Sequence, residues 1–215
     1  AALEGADQGF AFSSGMAAIQ TIMALFKSGD ELIVSKDLYG GTYRLFEEEW
    51  RKYGLVFHYD DFTSEAETVS LINENTKAIF LETPTNPLMQ ETSISALSEI
   101  ARKHDLLLIV DNTFYTPVLQ RPIEEGADIV IHSATKYLGG HNDVLAGLVC
   151  AKGQDLCEKL AAHQNAIGAV LSPFDSWLLL RGMKTLSLRM AKHQENAREL
   201  ARFLAELPEV ADVLY

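Results

Sequence analysis

Cysteine is scarce in this sequence, and its two cysteines are not arranged as metal ligands. Cys150 and Cys157 have neither a CxxC spacing nor the spacing of a zinc site. Two reduced thiols packed in a core are typical of a cytoplasmic protein. The separation of His132 and His141 also fits no common metal site. We therefore predict that the protein holds no metal.

Long hydrophobic runs and an excess of positive charge are also absent. No window approaches about 18 uninterrupted apolar residues, so we expect no membrane-spanning helix, and no signal-peptide pattern is present. The formal net charge is −12, which makes nucleic acids and acidic membranes poor partners. These absences exclude membrane and nucleic-acid-binding proteins and leave a cytoplasmic, globular protein.

Short apolar runs alternate with longer segments of helical periodicity. The near-continuous apolar run at 106–110 is typical of a strand whose sheet is covered on both faces. The alternation predicts one α/β domain with three layers and a mostly parallel, seven-stranded sheet. The predicted strands are 10–12, 31–35, 55–59, 78–81, 106–110, 129–132 and 145–150. The predicted helices are 16–26, 42–53, 65–73, 94–104, 155–166, 173–181 and 186–207.

Polar residues and glycines cluster directly after several predicted strands. The clusters are residues 13–16, 37–42, 82–87, 111–113 and 133–136. In open α/β sheets, ligands bind outside the carboxyl ends of the strands. Although these clusters are far apart in the sequence, we therefore expect them to form one site.

Four residues of this predicted site are suited to an anion. Gly15 and Met16 are predicted to begin a helix, where free backbone N–H groups and the positive end of the helix dipole attract a phosphate. Ser133 and Thr135 add hydroxyl donors to the same place. We predict that the Gly15 and Met16 N–H groups bind a phosphate.

Three further residues are suited to a planar, cationic ring with an aldehyde. Asp111 follows a buried strand, where a carboxylate needs a cationic partner or hydrogen bonds. Tyr39 precedes two glycines and can place its ring flat against a planar ligand. Lys136 supplies an amine that can form a Schiff base. A phosphate, a protonated ring nitrogen, a flat ring and an aldehyde together describe pyridoxal 5′-phosphate, which we predict as the cofactor.

Five ordered motifs resemble those of the Cys/Met-metabolism family of pyridoxal-phosphate enzymes, which includes cystathionine γ-synthase and the cystathionine and methionine lyases. The motifs are SSGMAAI, DLYGGTYRLF, ETPTNP, IVDNTF and HSATKYLGGHNDVLAG, and the similarity covers essentially the whole chain. The resemblance implies the aspartate-aminotransferase-like fold, fold type I. It also implies small amino-acid substrates and a homotetramer built from two close dimers.

The resemblance further implies that residues 1–215 are most of the large cofactor-binding domain of a longer protein. The chain begins with Ala1 rather than methionine, and it ends in an apolar stretch, 210–214, that is typical of a strand. An N-terminal arm with cross-subunit phosphate ligands, and a C-terminal domain with a substrate-binding arginine, would lie outside this sequence. We expect the 215 residues to be inactive alone.

Residue by residue, the resemblance assigns two catalytic residues. Lys136 would carry the cofactor and act as the base at the substrate's Cα, and Tyr39 would stack on the ring and carry protons. Asp111 would pair with the ring nitrogen. The remaining implied cofactor ligands are Gly15, Met16, Ser133 and Thr135 at the phosphate, Asn86 at the ring hydroxyl and the substrate, and Glu82 and Thr113 in support of the ring.

The motifs YGGTYRLF and YLGGHNDVLAG most resemble the branch of cystathionine γ-synthase and O-acetylhomoserine thiolyase. They imply γ-replacement on an activated homoserine ester in transsulfuration and methionine biosynthesis. The resemblance leaves open the acyl group and the incoming thiol, cysteine or sulfide. Gly41 stands where methionine γ-lyases tend to carry cysteine, which disfavours that activity. Cystathionine γ-lyase and β-lyase remain alternatives.

An alternative from another class is a serine α/β-hydrolase. Ser13 lies at a predicted strand-to-helix turn, and Asp111 and His141 follow it in the order that those hydrolases use. However, no glycine run for an oxyanion hole precedes the next helix, and the hypothesis gives Lys136 no role. We therefore prefer the pyridoxal-phosphate enzyme.

Overall fold

Seven strands form one sheet at the centre of the computed structural model, which describes residues 1–214. The strands are β1 (Gln8–Phe12), β2 (Glu31–Ser35), β3 (Val56–Asp60), β4 (Thr76–Glu82), β5 (Leu107–Asp111), β6 (Ile129–Ser133) and β7 (Gly147–Ala151). Their order across the sheet is β1-β7-β6-β5-β4-β2-β3. β7 is antiparallel to β1 and β6, and the other neighbouring strands are parallel. The predicted mostly parallel, seven-stranded α/β sheet is confirmed.

Helices follow most of the strands and fill the last third of the chain. They are α1 (Gly15–Met23), α2 (Gly40–Arg44), α3 (Glu65–Ser70), α4 (Ile94–Lys103), α5 (Thr116–Leu119), α6 (Gln154–Ile167), α7 (Pro173–Met183) and α8 (Leu186–Ala205). Serine hydroxyls accept hydrogen bonds from backbone N–H groups at the starts of α1, α3, α4 and α7. Within residues 1–214, each helix is too short or too polar to cross a membrane.

Alternate residues of the central strands pack into two hydrophobic cores, one on each face of the sheet. Leu32 and Val34 of β2 belong to the core that contains residues of α1 and α6, whereas Ile33 belongs to the core that contains residues of α4. All three side chains are fully buried. Successive side chains of a strand point to opposite faces, so a strand covered on both faces is apolar throughout. The predicted three-layer arrangement is confirmed.

The helix predicted at 42–53 is not one continuous α-helix. α2 is followed by a π-helix, Leu45–Glu49, and then by a 3₁₀-helix, Trp50–Tyr53. Phe46 in the π-helix is fully buried, and its ring stacks on Phe57 with 4.5 Å between the ring centroids. The local change in helix type accompanies this long-range aromatic packing, which hydrophobic periodicity does not reveal.

Two other details differ from the prediction. The strand predicted at 210–214 is wrong, because residues 211–214 have no regular structure in the described chain. A strand forms only beside a pairing partner, and an apolar pattern alone does not supply one. The short helix α5 was not predicted, since its four residues are too few to show a helical period.

Candidate active site

The register of three parallel strands brings polar residues together at one edge of the sheet. Glu82, the last residue of β4, is opposite Asp111, the last residue of β5, and Asp111 is opposite Ile131 of β6. β6 then ends at Ser133. All ten residues predicted to bind the cofactor line one cavity of about 190 Å³. The five strand-end clusters therefore meet, as predicted from topology.

The first turn of α1 lines this cavity and has two free backbone N–H groups. The Ser14 hydroxyl accepts a hydrogen bond from the Ala17 N–H at 3.0 Å, but the Gly15 and Met16 N–H groups have no acceptor among residues 1–214. A Cβ at Gly15 would lie 3.1 Å from the Ser133 Cβ, so glycine allows the helix to start close to β6. Two N–H groups, a helix dipole and a serine hydroxyl therefore lie together, which suits a phosphate.

Two residues near the start of α1 make contacts that the sequence analysis did not predict. Gly147 of β7 was not predicted to matter, yet a Cβ there would overlap the Ser14 carbonyl oxygen. The start of α1 thus rests directly on the β7 backbone, and the only sequence signal was a glycine inside a predicted strand. The Thr135 hydroxyl donates to the Ala146 carbonyl at 3.3 Å and accepts from the Ala146 N–H at 3.1 Å. Thr135 therefore holds its loop as well as lining the cavity.

Asp111 is buried, and only one of its carboxylate oxygens is hydrogen-bonded within residues 1–214. Its Oδ1 accepts from the Thr113 N–H at 3.0 Å and from the Thr113 hydroxyl at 2.6 Å. The Thr113 hydroxyl oxygen in turn accepts from the Ser133 N–H at 2.8 Å. These bonds fix the carboxylate and leave its Oδ2 free for a cationic ligand.

Glu82 is a second buried carboxyl group beside Asp111. Its Oε2 accepts a hydrogen bond from the Tyr39 N–H at 2.9 Å. Burial, and then the charge of Asp111, raise the pKa of Glu82 to about 8. Burial also raises the pKa of Asp111, although the hydrogen bonds from Thr113 oppose this. Two adjacent buried carboxyl groups favour a cation in the cavity, such as a protonated ring nitrogen.

The Tyr39 ring is half-exposed and immediately precedes α2. A Cβ at Gly41 would overlap the Tyr39 ring, so only glycine at this position allows the observed ring placement. A side chain at position 41 would displace the ring.

Lys136 follows β6 in a loop held by its own backbone. The Lys136 N–H donates to the Ser133 carbonyl at 3.1 Å, and the Gly140 N–H donates to the Lys136 carbonyl at 2.8 Å. The side chain is exposed and lines the cavity. Its amine forms no salt bridge with any carboxylate of residues 1–214, so it is available to a ligand.

Asn86 lines the cavity from the loop after β4. Asp37 anchors this loop on both sides of Asn86, because it accepts hydrogen bonds from the Thr85 hydroxyl and from the Leu88 N–H. The sequence analysis placed Asp37 in a strand-end cluster but gave it no role. Its role becomes visible only when the loops after β2 and β4 are side by side.

The residues of the alternative serine-hydrolase triad are not brought together. Of Ser13, Asp111 and His141, only Asp111 is among the described residues that line the cavity. The His141 Nδ1 lies 2.9 Å from the Gly139 carbonyl oxygen, which places this ring on the loop backbone. The geometry does not support the hydrolase.

A buried polar network lies on the other side of the strand ends. Asn112 follows Asp111 directly after β5, and His132 precedes Ser133 in β6, so both alternate with the cavity residues and lie on the opposite side. The Glu4 Oε1 accepts a hydrogen bond from the Asn112 amide at 3.1 Å and lies 2.6 Å from the His132 Nε2. The side chains of Glu4, Asn112 and His132 are all buried. The sequence analysis missed this network, because Glu4 is far from its partners along the chain.

The raised pKa of Glu82 predicts a pH-dependent stability of the full-length protein without cofactor. Between pH 4.5 and about 8, the unfolded chain loses a proton that folded Glu82 keeps. The free energy of unfolding therefore falls as the pH rises through this range. Glu82→Gln can still accept the hydrogen bond from the Tyr39 N–H. It should make this fall in the free energy of unfolding smaller by about a few kcal/mol, the size that the pKa shift of Glu82 implies. Urea unfolding at pH 5.5, 7 and 8.5 measures it.

The matched control is Glu99→Gln on α4, an exposed glutamate whose substitution should leave the pH dependence as in the parent protein. If Glu82→Gln and the parent protein lose stability equally between pH 5.5 and 8.5, the raised pKa of Glu82 is refuted.

Comparison with known proteins agrees with the fold. Residues 1–215 match the family model described as Cys/Met metabolism PLP-dependent enzyme. The chain is 74% identical over 213 residues to the cystathionine gamma-synthase/O-acetylhomoserine (thiol)-lyase of Bacillus subtilis, across 99% of this chain and 57% of the relative. It is 59% identical over 216 residues to the cystathionine gamma-synthase of Haemophilus influenzae, across 100% of this chain and 58% of the relative.

Among solved structures, cystathionine gamma-lyase from Lactobacillus plantarum complexed with L-serine matches with a TM-score of 0.97 and 50% identity, across 98% of this chain and 55% of that chain. The chain therefore spans little more than half the length of the relatives it matches. The fold is that of fold type I enzymes, as the resemblance implied. With a family match from its first to its last residue, this chain belongs to the Cys/Met-metabolism family of pyridoxal-phosphate-dependent enzymes.

Proposed function

We propose that the protein containing this chain uses pyridoxal phosphate for γ-replacement on an activated homoserine ester, as a cystathionine γ-synthase or an O-acetylhomoserine thiolyase of methionine biosynthesis. The observation that carries the proposal is the cavity where Lys136, Asp111 and the free N–H groups of α1 meet. Identities of 74% and 59% to synthases, against 50% to the lyase structure, support the synthase branch. A cystathionine γ- or β-lyase is the second candidate, because the lyase fold matches almost the whole chain.

We further propose that residues 1–215 form most of the large, cofactor-binding domain of that protein. The chain contains a seven-stranded sheet and the cavity, but only 57% of the length of the Bacillus subtilis relative. The substrate-binding arginine and the cross-subunit phosphate ligands would lie in the remaining segments. Tests of activity therefore need the full-length protein.

The residues of the cavity fit the ring and the aldehyde of the cofactor. When bound, pyridoxal phosphate would supply an aldehyde and an electron-accepting ring. Lys136 would bind the aldehyde, and the free Oδ2 of Asp111 would accept a hydrogen bond from the ring nitrogen and keep it protonated. Glu82 would strengthen this preference for a cation, and Thr113 would hold Asp111 in place. The Tyr39 ring would stack on the cofactor ring.

The other end of the cavity fits the phosphate. The N–H groups of Gly15 and Met16 and the hydroxyl of Ser133 would donate to it, helped by the dipole of α1. Thr135 stays a predicted phosphate ligand, with its hydroxyl shared with the Ala146 backbone in this structure. Asn86, in the loop after β4, would meet the ring hydroxyl and the substrate.

Lys136 and Tyr39 would move the protons of the reaction. The Lys136 amine would remove the proton from Cα of the bound substrate. A second proton, from Cβ, must leave before the γ-substituent departs, and these two side chains are the proposed carriers. Both side chains line the cavity.

Borohydride reduction of the full-length protein with pyridoxal phosphate should attach the pyridoxyl label to Lys136. Lys136→Ala should lower kcat by about 10⁴-fold or more, because the covalent anchor and the base disappear together. Peptide mapping and steady-state kinetics measure the two outcomes. Lys184→Ala, an exposed control, should leave both unchanged, and a label on any lysine other than Lys136 contradicts the assignment.

The proposed reaction predicts a pattern of substrate use. O-acetyl- or O-succinylhomoserine, with cysteine or sulfide as the thiol, should react with a kcat/KM at least about tenfold above that for cystathionine cleavage. A matrix of the two esters and two thiols, with cystathionine alone as the comparison, decides between the candidates. Faster cleavage of cystathionine than replacement on either ester would favour the lyase and overturn the synthase proposal.

We propose that the protein assembles into a homotetramer of two close dimers. Three apolar side chains of α7 support burial of this helix by another subunit, since Phe174, Trp177 and Leu180 are 66%, 56% and 60% exposed. Phe174→Glu should dissociate the assembly or weaken it at micromolar concentration. The helix dipole favours a carboxylate in the first turn of α7, so the fold should be unaffected. Sedimentation velocity measures the change.

Tyr53→Glu is the control for this experiment, because Tyr53 is equally exposed, at 68%, but lies on a different element, at the end of the 3₁₀-helix Trp50–Tyr53. It should leave the sedimentation coefficient unchanged. A parent protein that sediments as a monomer at micromolar concentration refutes the tetramer.

A further inference from the structure

The loop that carries Lys136 rests against α7 and α8 without room for a side chain. A Cβ at Gly182 of α7 would overlap the Gly139 carbonyl oxygen. A Cβ at Gly140, whose φ is +73°, would overlap the guanidinium group of Arg189 on α8. The loop backbone is therefore in direct contact with both helices. It contacts the backbone of Gly182 on α7 and the side chain of Arg189 on α8.

Arg189 joins the loop to the helices through three hydrogen bonds. One terminal nitrogen donates to the Tyr137 carbonyl at 2.7 Å, and the other donates to the Gly182 carbonyl at 3.0 Å. The Nε donates to the Thr185 hydroxyl at 3.0 Å. Within residues 1–214 this guanidinium forms no salt bridge. Its donors are therefore directed at backbone and hydroxyl oxygens rather than at a carboxylate.

We infer that Arg189 is a positioning residue for the reaction, because it fixes the backbone from which the Lys136 side chain extends. Tyr137, whose carbonyl it holds, is the next residue after Lys136. Among the backbone bonds of this loop, the Thr135 N–H donates to the Ala146 carbonyl, and the others, such as the one from the Gly139 N–H to the Ala134 carbonyl, stay within the loop and its own strand end. This inference rests on the proposed role of Lys136.

A lysine at position 189 cannot replace the arginine. The guanidinium holds its donors in one rigid plane, which lets it reach three acceptors on different elements at once, whereas an ammonium group is a single point of charge on a flexible stem. Loss of the guanidinium also leaves the Tyr137 and Gly182 carbonyls without this donor. Geometry, rather than charge, is therefore the property to test.

The first experiment measures the loop without cofactor. Hydrogen exchange of the full-length apo protein is followed by mass spectrometry. In both Arg189→Met and Arg189→Lys, the peptide that covers 134–140 should exchange about tenfold or more faster than in the parent protein. Peptides from β2 and β4 should be unchanged. Arg198→Met, an exposed arginine on the same helix, is the matched control and should exchange like the parent. If Arg189→Met does not fold, Arg189→Lys carries the test.

The second experiment measures the consequence for the reaction. In the same two variants kcat should fall by about tenfold or more, while the substrate KM and the affinity for pyridoxal phosphate stay close to the parent values. Exchange as in the parent, an unchanged kcat, full activity of Arg189→Lys, or a rise in KM alone would each overturn the inference. Failure of the proposed role of Lys136 gives a different result, since Lys136 of the parent protein would then take no pyridoxyl label while the exchange result is unaffected.

Discussion

The parallel register of β4 and β5 sets two buried carboxyl groups, Glu82 and Asp111, next to each other. Without a ligand this arrangement is unfavourable, because burial and mutual repulsion both disfavour the charged carboxylates. A cation in the cavity removes that penalty, and the other site residues surround the place where it would lie. Glu82 also holds the backbone of Tyr39, and the Thr113 hydroxyl connects Asp111 to the end of β6.

Because side chains alternate along the strands, residues that line the cavity lie on one side of the strand ends and residues of the buried polar network lie on the other. Asp111 and Ser133 line the cavity, whereas Asn112 and His132 join Glu4 on the opposite side. The network ties the ends of β5 and β6 together below the cavity, where water is excluded and hydrogen bonds hold their geometry. A site built on strand ends supported in this way is more rigid than one built on loops.

Close backbone approach is the second constraint on the site. Glycines at 15, 147 and 41 let α1 meet β6 and β7 and let the Tyr39 ring lie over α2. A Cβ at any of these positions would crowd or overlap neighbouring protein atoms, so each of these close contacts depends on the absence of a side chain. Glycines also allow close contact at the Lys136 loop, where Gly182 of α7 meets the loop backbone and Gly140 meets the Arg189 side chain.

The sequence by itself determined the α/β class, the strand positions and seven residues of the cavity, because apolar runs mark buried strands and polar clusters follow them. These signals are local, and a topological rule converts them into a site. The resemblance to the family implied the other three, Glu82, Asn86 and Thr113. Only the tertiary structure decided the π-helical turn at Phe46, the Glu4 network and the place of Arg189. Each depends on partners that are distant along the chain, such as Glu4 and His132 at 2.6 Å, and no local pattern encodes which distant residues will meet.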